Sequence, residues 1–348
     1  MKLELSKLRT LAVLILGTAA LTGCSGPGIG LDAVPMPEAD MVGTIDPQGL
    51  RATGFWDGVA DLAERQSTGL SESTWEQFAF IRQVLDGTEL TADDLLEIRV
   101  AVRATDDRIR PVTGFQLAKA LTPEMTIGVL RSMAAQYDRR ITILEVDHPG
   151  GDVLHVELET GDDPESLWIG FTPDATVVYQ GIDEEILAVM DRLDAGRAAP
   201  LSEDLARLGE TVSPEAQAWL AYTVSEAQRG NLAEILGMQG VPELLEGLAQ
   251  SLDGFSSAVV EFQSGDDLEV RLRWYFEGDD KAQSFHDSMG GLTELFKGLV
   301  ALASGGRPID AVNSMTLSRS DSLVMLGLHV SQNDLLTLEE LYELNLTE

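Results

Sequence analysis

Histidines, paired carboxylates and one cysteine are the residues here whose types could do chemistry, and their spacing limits what that chemistry is. The four histidines are His148, His155, His286 and His329. No two stand three or four residues apart, so no helix face can present a histidine pair to a metal. His148 precedes Pro149-Gly150-Gly151-Asp152, a hairpin-turn composition. His155 and His329 fall on polar or mixed faces of strands. His286-Asp287-Ser288 holds the three residue types of a hydrolytic triad. Successive helical residues step round the axis by about 100°, so the three fan apart and do not converge on one atom. The sequence has no Gly-x-Ser-x-Gly elbow. Acidic pairs recur at Asp93-Asp94, Asp106-Asp107, Asp162-Asp163, Asp266-Asp267 and Asp279-Asp280. Paired carboxylates suit Ca²⁺ or acid–base chemistry. None of these has the spacing of a calcium loop, and aspartates at turns and helix starts satisfy local backbone groups without a ligand. Gly26, Gly28 and Gly30 lack the preceding strand and following helix of a nucleotide loop. The expected catalytic, metal-binding and cofactor-binding sets are therefore empty.

Composition narrows the partners. The chain has 348 residues, of which 44% are hydrophobic, and a formal net charge of -34. It is long enough for about two domains with real cores. Asp+Glu number 58 against 24 Lys+Arg, which excludes wrapping of nucleic acid, because phosphate binding needs a basic surface. A single cysteine excludes disulfide frameworks and cysteine-built metal clusters.

That cysteine sits in a telling place. Lys2, Lys7 and Arg9 precede an apolar run from Leu11 to Leu21, which is too short to span a bilayer. Leu21-Thr22-Gly23-Cys24 follows directly, then Ser25. These residues resemble the signal peptide and lipobox of bacterial lipoproteins. The resemblance covers residues 1–24. It implies cleavage after Gly23 and diacylglycerol on the Cys24 sulfur, with acylation of the new amino group. Two or three acyl chains anchor stably where one is marginal. Ser25 in place of Asp implies sorting to the outer membrane, facing the periplasm of a Gram-negative bacterium. The lipidation residue is thus Cys24, and the membrane is its partner through acyl chains. Residues 24–40, rich in Gly and Pro, read as a lipidated flexible tether.

The body beyond the tether alternates between strand and helix periods. Leu268, Val270, Leu272, Trp274 and Phe276 point one way, with Glu269, Arg271, Arg273 and Tyr275 opposite. Leu96, Ile98, Val100 and Val102 oppose Glu97, Arg99 and Arg103, while Leu154, Val156 and Leu158 oppose His155, Glu157 and Glu159. Such strands predict antiparallel sheets with one wetter face. Thr122-Pro123-Glu124 reads as a helix start. Val241, Leu244, Leu245, Leu248 and Leu252 keep helical spacing, as do Phe285, Met289, Leu292, Phe296 and Leu299, predicted to face a core. Trp75 and Trp274 take core-facing positions; Trp56, Trp168 and Trp219 are dispersed and form no aromatic platform.

Taken in order, the elements predict an α+β fold of two similar halves, each β-α-β-β-α-β-β-α, with mainly antiparallel sheets packed by helices. The first repeat covers 41–195 and the second 213–348, joined through 194–217. An extra hairpin, Leu167–Phe171 and Thr176–Gln180, belongs to the first alone. The functional expectation is a lipid-anchored envelope protein acting as a binding or scaffold module, with a protein partner in the envelope. A periplasmic hydrolase using Asp/Glu carboxylates and a structural envelope protein are the alternatives. A convergent carboxylate pair in a pocket marks the hydrolase; a broad apolar patch marks the binder.

Overall fold

A computed structural model describes residues 39–55, 87–104, 109–136, 140–158, 165–182, 185–196, 201–224, 251–252, 254–303, 309–334 and 337. The signal segment, Cys24 and most of the tether lie outside these residues. So do Trp56, Trp75, Asp106-Asp107, Asp162-Asp163 and the apolar stripe from Val241 to Leu248. The fold is α+β and rich in sheet, and the strand pairings given below are antiparallel. Two compact units divide the chain: 1–52 with 63–202, and 53–62 with 203–348.

The first unit contains strands β1 (Met41–Ile45), β2 (Leu95–Ala104), β3 (Ile109–Leu117), β4 (Ile141–Val146), β5 (Val153–Leu158), β6 (Glu165–Phe171) and β7 (Val177–Gly181). They lie in the order β1-β2-β3-β7-β6-β5-β4. Helices α1 (Pro47–Arg51), α2 (Pro123–Gln136) and α3 (Glu185–Asp194) accompany them. Pro123 opens α2, and the Thr122 hydroxyl accepts from the Met125 N–H at 3.3 Å, so the expected cap forms. Leu121, Ile127 and Leu130 of this segment pack on Leu154, Val156, Ile169, Phe171 and Val178, one face of the sheet.

The opposite face corrects an expectation. The β2 alternation predicted that Arg99 would be wet, yet it is 4% exposed. Strand register puts Arg99, Ala101, Val112, Gly114 and Tyr179 on one face, and α3 packs against β3, β6 and β7. Ile186, Val189 and Met190 of α3 are fully buried, as are Val112 and Ala101. Three glycines let the helix approach. A Cβ on Gly150 would collide with the Met190 carbonyl, one on Gly170 would lie 2.8 Å from Met190 Sδ, and one on Gly181 would lie 3.1 Å from Ile186. Gly151, at φ +131°, turns the β4–β5 hairpin in a conformation that side chains rarely adopt. An alternation pattern gives which residues share a face; it does not give which faces a later helix covers.

The second unit contains β8 (Ala218–Thr223), β9 (Phe255–Ser264), β10 (Leu268–Phe276), β11 (Thr316–Ser320) and β12 (Leu323–Val330), in the order β8-β9-β10-β12-β11. Its helices are α4 (Glu203–Glu210), α5 (Asp279–Ala303) and α6 (Asp310–Asn313). The segment expected as a junction thus carries α4, whose Leu205 and Leu208 are buried. Phe255, Phe276, Phe285, Val324 and Ala282 form the core, with Trp274 packed against it. Phe285 meets Phe276 at 5.0 Å and Trp274 at 5.3 Å between ring centroids. The predicted core stripe of α5 holds only at its start: Phe285 is buried, whereas Phe296 is 49% exposed. Helical spacing puts both on one side of α5, but the sheet underlies only part of that length.

Candidate functional site

A catalytic carboxylate would be found among the buried charges. Glu185, at the start of α3, receives Arg103 of β2 and Arg110 of β3, the latter at 3.0 Å. Glu261 of β9 receives Arg273 and the Ser213 N–H, the latter at 2.9 Å. Arg273 also donates to the Thr211 carbonyl, which ties the exit of α4 to the sheet. Asp334 accepts from the Ser331 N–H at 2.8 Å, the Ala311 N–H at 3.0 Å and the Asp310 N–H, fixing the first turn of α6. Asp94 accepts from the Thr91 N–H and hydroxyl and from Lys119 at 3.0 Å. The Thr91 N–H and then Lys119 hold its carboxyl below the usual carboxylate range. Each of these four carboxylates has its own donors, and each clamps one element to another.

The predicted acidic pairs separate the same way. Asp93 turns out to Arg51 at 2.9 Å while Asp94 turns in. Asp267 meets His329 at 3.5 Å. Asp279 and Asp280 open α5, where the helix dipole favours them. Among the described residues no group of three His, Cys, Asp or Glu is placed to hold a metal ion.

The histidines are dispersed. His148 Nδ1 accepts the Gly150 N–H at 3.1 Å, and its Nε2 lies 3.2 Å from Asp191 on α3. Nδ1 thus braces the β4–β5 turn internally, and Nε2 joins that turn to α3. In the trio, His286 Nδ1 lies 3.3 Å from Asp287, and Asp287 also accepts from Gln283 at 2.7 Å. Gln283 foremost, and then His286, hold the Asp287 carboxyl below its ordinary range. These bonds run along the exposed helix surface and assemble no nucleophile.

His155 has the most distinctive setting. Its ring stacks on Trp168 with centroids 4.2 Å apart and planes within 14°. Its Nε2 lies 2.8 Å from the Ser166 hydroxyl. Register builds two cross-strand rows on this face of β4, β5 and β6. One is Leu144, His155 and Trp168; the other is Thr142, Glu157 and Ser166. Leu144 is 50% exposed, and Thr142 and Glu157 are exposed. The rows offer an aromatic plate, an apolar side chain, a hydroxyl and a carboxylate in one plane, a surface for recognition. Sequence reasoning missed it because β5–β6 register, not chain proximity, brings His155 to Trp168. The signal available was the pair of strands flanking 159–164.

No family model matches the chain, and no curated protein matches it. Among solved structures, crystal form I of TP0453 is similar, with a TM-score of 0.45 and 10% identity, covering 91% of this chain and 100% of that one.

Proposed function

We propose that this is a lipid-tethered protein of the cell envelope that acts by binding rather than by catalysis. The observation carrying the tether is the only cysteine of the chain, standing directly after Leu21-Thr22-Gly23 and an apolar run. On this reading residues 1–23 are removed, Cys24 is acylated, and residues 24–40 hold the body off the outer membrane. The full chain carries a net charge of -34, and loss of residues 1–23 leaves the body still strongly acidic and repelled by anionic headgroups, so acyl chains supply the attachment. The His155–Trp168 face supports the binding role, toward a protein partner in the envelope. The hydrolase reading gains no support from the buried carboxylates, which are divided among separate clamps. Labelling with radioactive palmitate tests the tether: incorporation in the native chain and none in Cys24→Ser is expected, and incorporation persisting in Cys24→Ser overturns it. Photo-crosslinking in cells from position 157 tests the binding role: an envelope protein captured there, and lost with Trp168→Ala, is expected. Capture unchanged by Trp168→Ala overturns the role of this face.

We infer as well that the two units arose by duplication. What supports this is their common sheet order. In each, the third strand lies between the second and the last strand, and a helix follows the third strand in sequence. By this alignment β7 corresponds to β12 and β6 to β11, so the additional hairpin of the first unit is β4–β5, not the one starting at Leu167. Superposing experimental coordinates of the units tests the inference; β1–β2–β3–α2 and β8–β9–β10–α5 that fail to coincide would refute it.

A further inference from the structure

Three of the histidines meet carboxylates: His148 meets Asp191, His286 meets Asp287 and His329 meets Asp267. His155 instead meets a hydroxyl, with its Nε2 2.8 Å from Ser166 Oγ. That is the reach within which an imidazole takes the proton of a nucleophilic serine. Strand register makes the contact: Ser166 lies diagonally across β5 and β6 from His155, which pairs directly with Trp168. Both side chains are partly exposed, so a small molecule has access to them.

A serine–histidine pair needs a third group to hold the base in place. Here that group is aromatic. Trp168 stacks on the imidazole at 4.2 Å, with planes within 14°, and fixes the tilt of the ring beside Ser166. On the other side of His155 in its row stands Leu144, 50% exposed. Glu157 stands directly opposite Ser166 and sets a carboxylate near the hydroxyl. This bed suits an uncharged molecule with an apolar portion and repels an anion.

We propose that Ser166 is an acylation site, its hydroxyl activated by His155 and its substrate an uncharged carboxylic ester. Ser166 Oγ attacks the ester carbonyl carbon while its proton passes to His155 Nε2. The Oγ–C bond forms, the bond from that carbon to the leaving oxygen breaks, and Nε2 returns the proton to the leaving alcohol. The acyl group ends on the protein itself, so the step is a modification and not turnover. It goes beyond the binding reading and does not depend on the tether.

The full chain in detergent micelles, treated with p-nitrophenyl butyrate and mapped by peptide mass spectrometry, tests the proposal. Ser166 should be butyrylated at least about 100-fold faster than Ser318, an exposed serine of β11. His155→Gln can still hydrogen-bond Ser166 but cannot take its proton, and should slow labelling about 100-fold. Trp168→Ala should slow it too, and Trp168→Phe, which keeps a ring against the imidazole, should restore it. Thermal melting checks that each variant is folded. Labelling of native Ser166 no faster than that of Ser318 overturns the proposal, whatever the variants do. So does an undiminished rate in folded His155→Gln.

Discussion

Glu185 lies where three elements meet. It joins the start of α3 to β2 and β3 through Arg103 and Arg110, whose side chains are 32% and 30% exposed. Removing one partner of a buried ion pair costs about 3–5 kcal/mol because the other is left uncompensated. With the arginines a third exposed, water screens part of that loss. Glu185→Gln should therefore cost about 2 kcal/mol in urea denaturation, while Arg110→Lys should cost less. Asp94 gives a pH signature. The Thr91 N–H and Lys119 hold its folded carboxyl below the ordinary value, so the unfolded chain takes up the proton at higher pH. The stability it contributes is present above the ordinary aspartate range and is lost as pH falls through that range toward the lowered folded value. Urea denaturation across acidic pH should show this loss in the native chain and a flatter profile in Asp94→Asn. Neither clamp was legible in the sequence. Asp93-Asp94 reads as a pair, yet Asp93 and Asp94 hold different partners, Arg51 and Lys119.

Elements show which kinds of pattern carry information. The strand from Leu268 to Phe276 and the helix opened by Thr122-Pro123 follow directly from period and capping chemistry. The fit of α3 does not, because Gly150 and Gly170 are distant in sequence from Ile186 and Met190 and meet them only through register. A Cβ at 150 strikes backbone, and one at 170 strikes the movable end of Met190. Gly150→Ala should therefore cost about 3 kcal/mol and Gly170→Ala about 1 kcal/mol by thermal melting. In α5 the graded exposure sets the order of costs. Phe285→Ala, in the core, should cost about 3–5 kcal/mol. Half-exposed Phe296 should cost less than about 1 kcal/mol on truncation, and Ser288→Ala should stay within about 0.5 kcal/mol. Calorimetry of the three variants checks the series. Equal costs at 285 and 296 would mean that the stripe is buried along its whole length.

At the scale of the molecule, chemistry and address separate. The described body pairs Glu185 with arginines that fasten α3 to its sheet and Glu261 with an arginine that fastens β9 to β10, and presents an aromatic, mixed-polarity face on β4, β5 and β6. The α+β class and the antiparallel strands were legible because the sequences of β2, β5 and β10 alternate with period 2. The covering of the second face was not, because it depends on where α3 lands. The proposed anchoring rests on the sequence Leu21-Thr22-Gly23-Cys24. The most direct test is mass spectrometry of the N-terminal peptide of the protein purified from the cells that make it. The chain should begin at Cys24, with a diacylglyceryl thioether on its sulfur and a fatty acyl amide on its nitrogen. A chain beginning elsewhere, or a Cys24 with a free thiol, would contradict it.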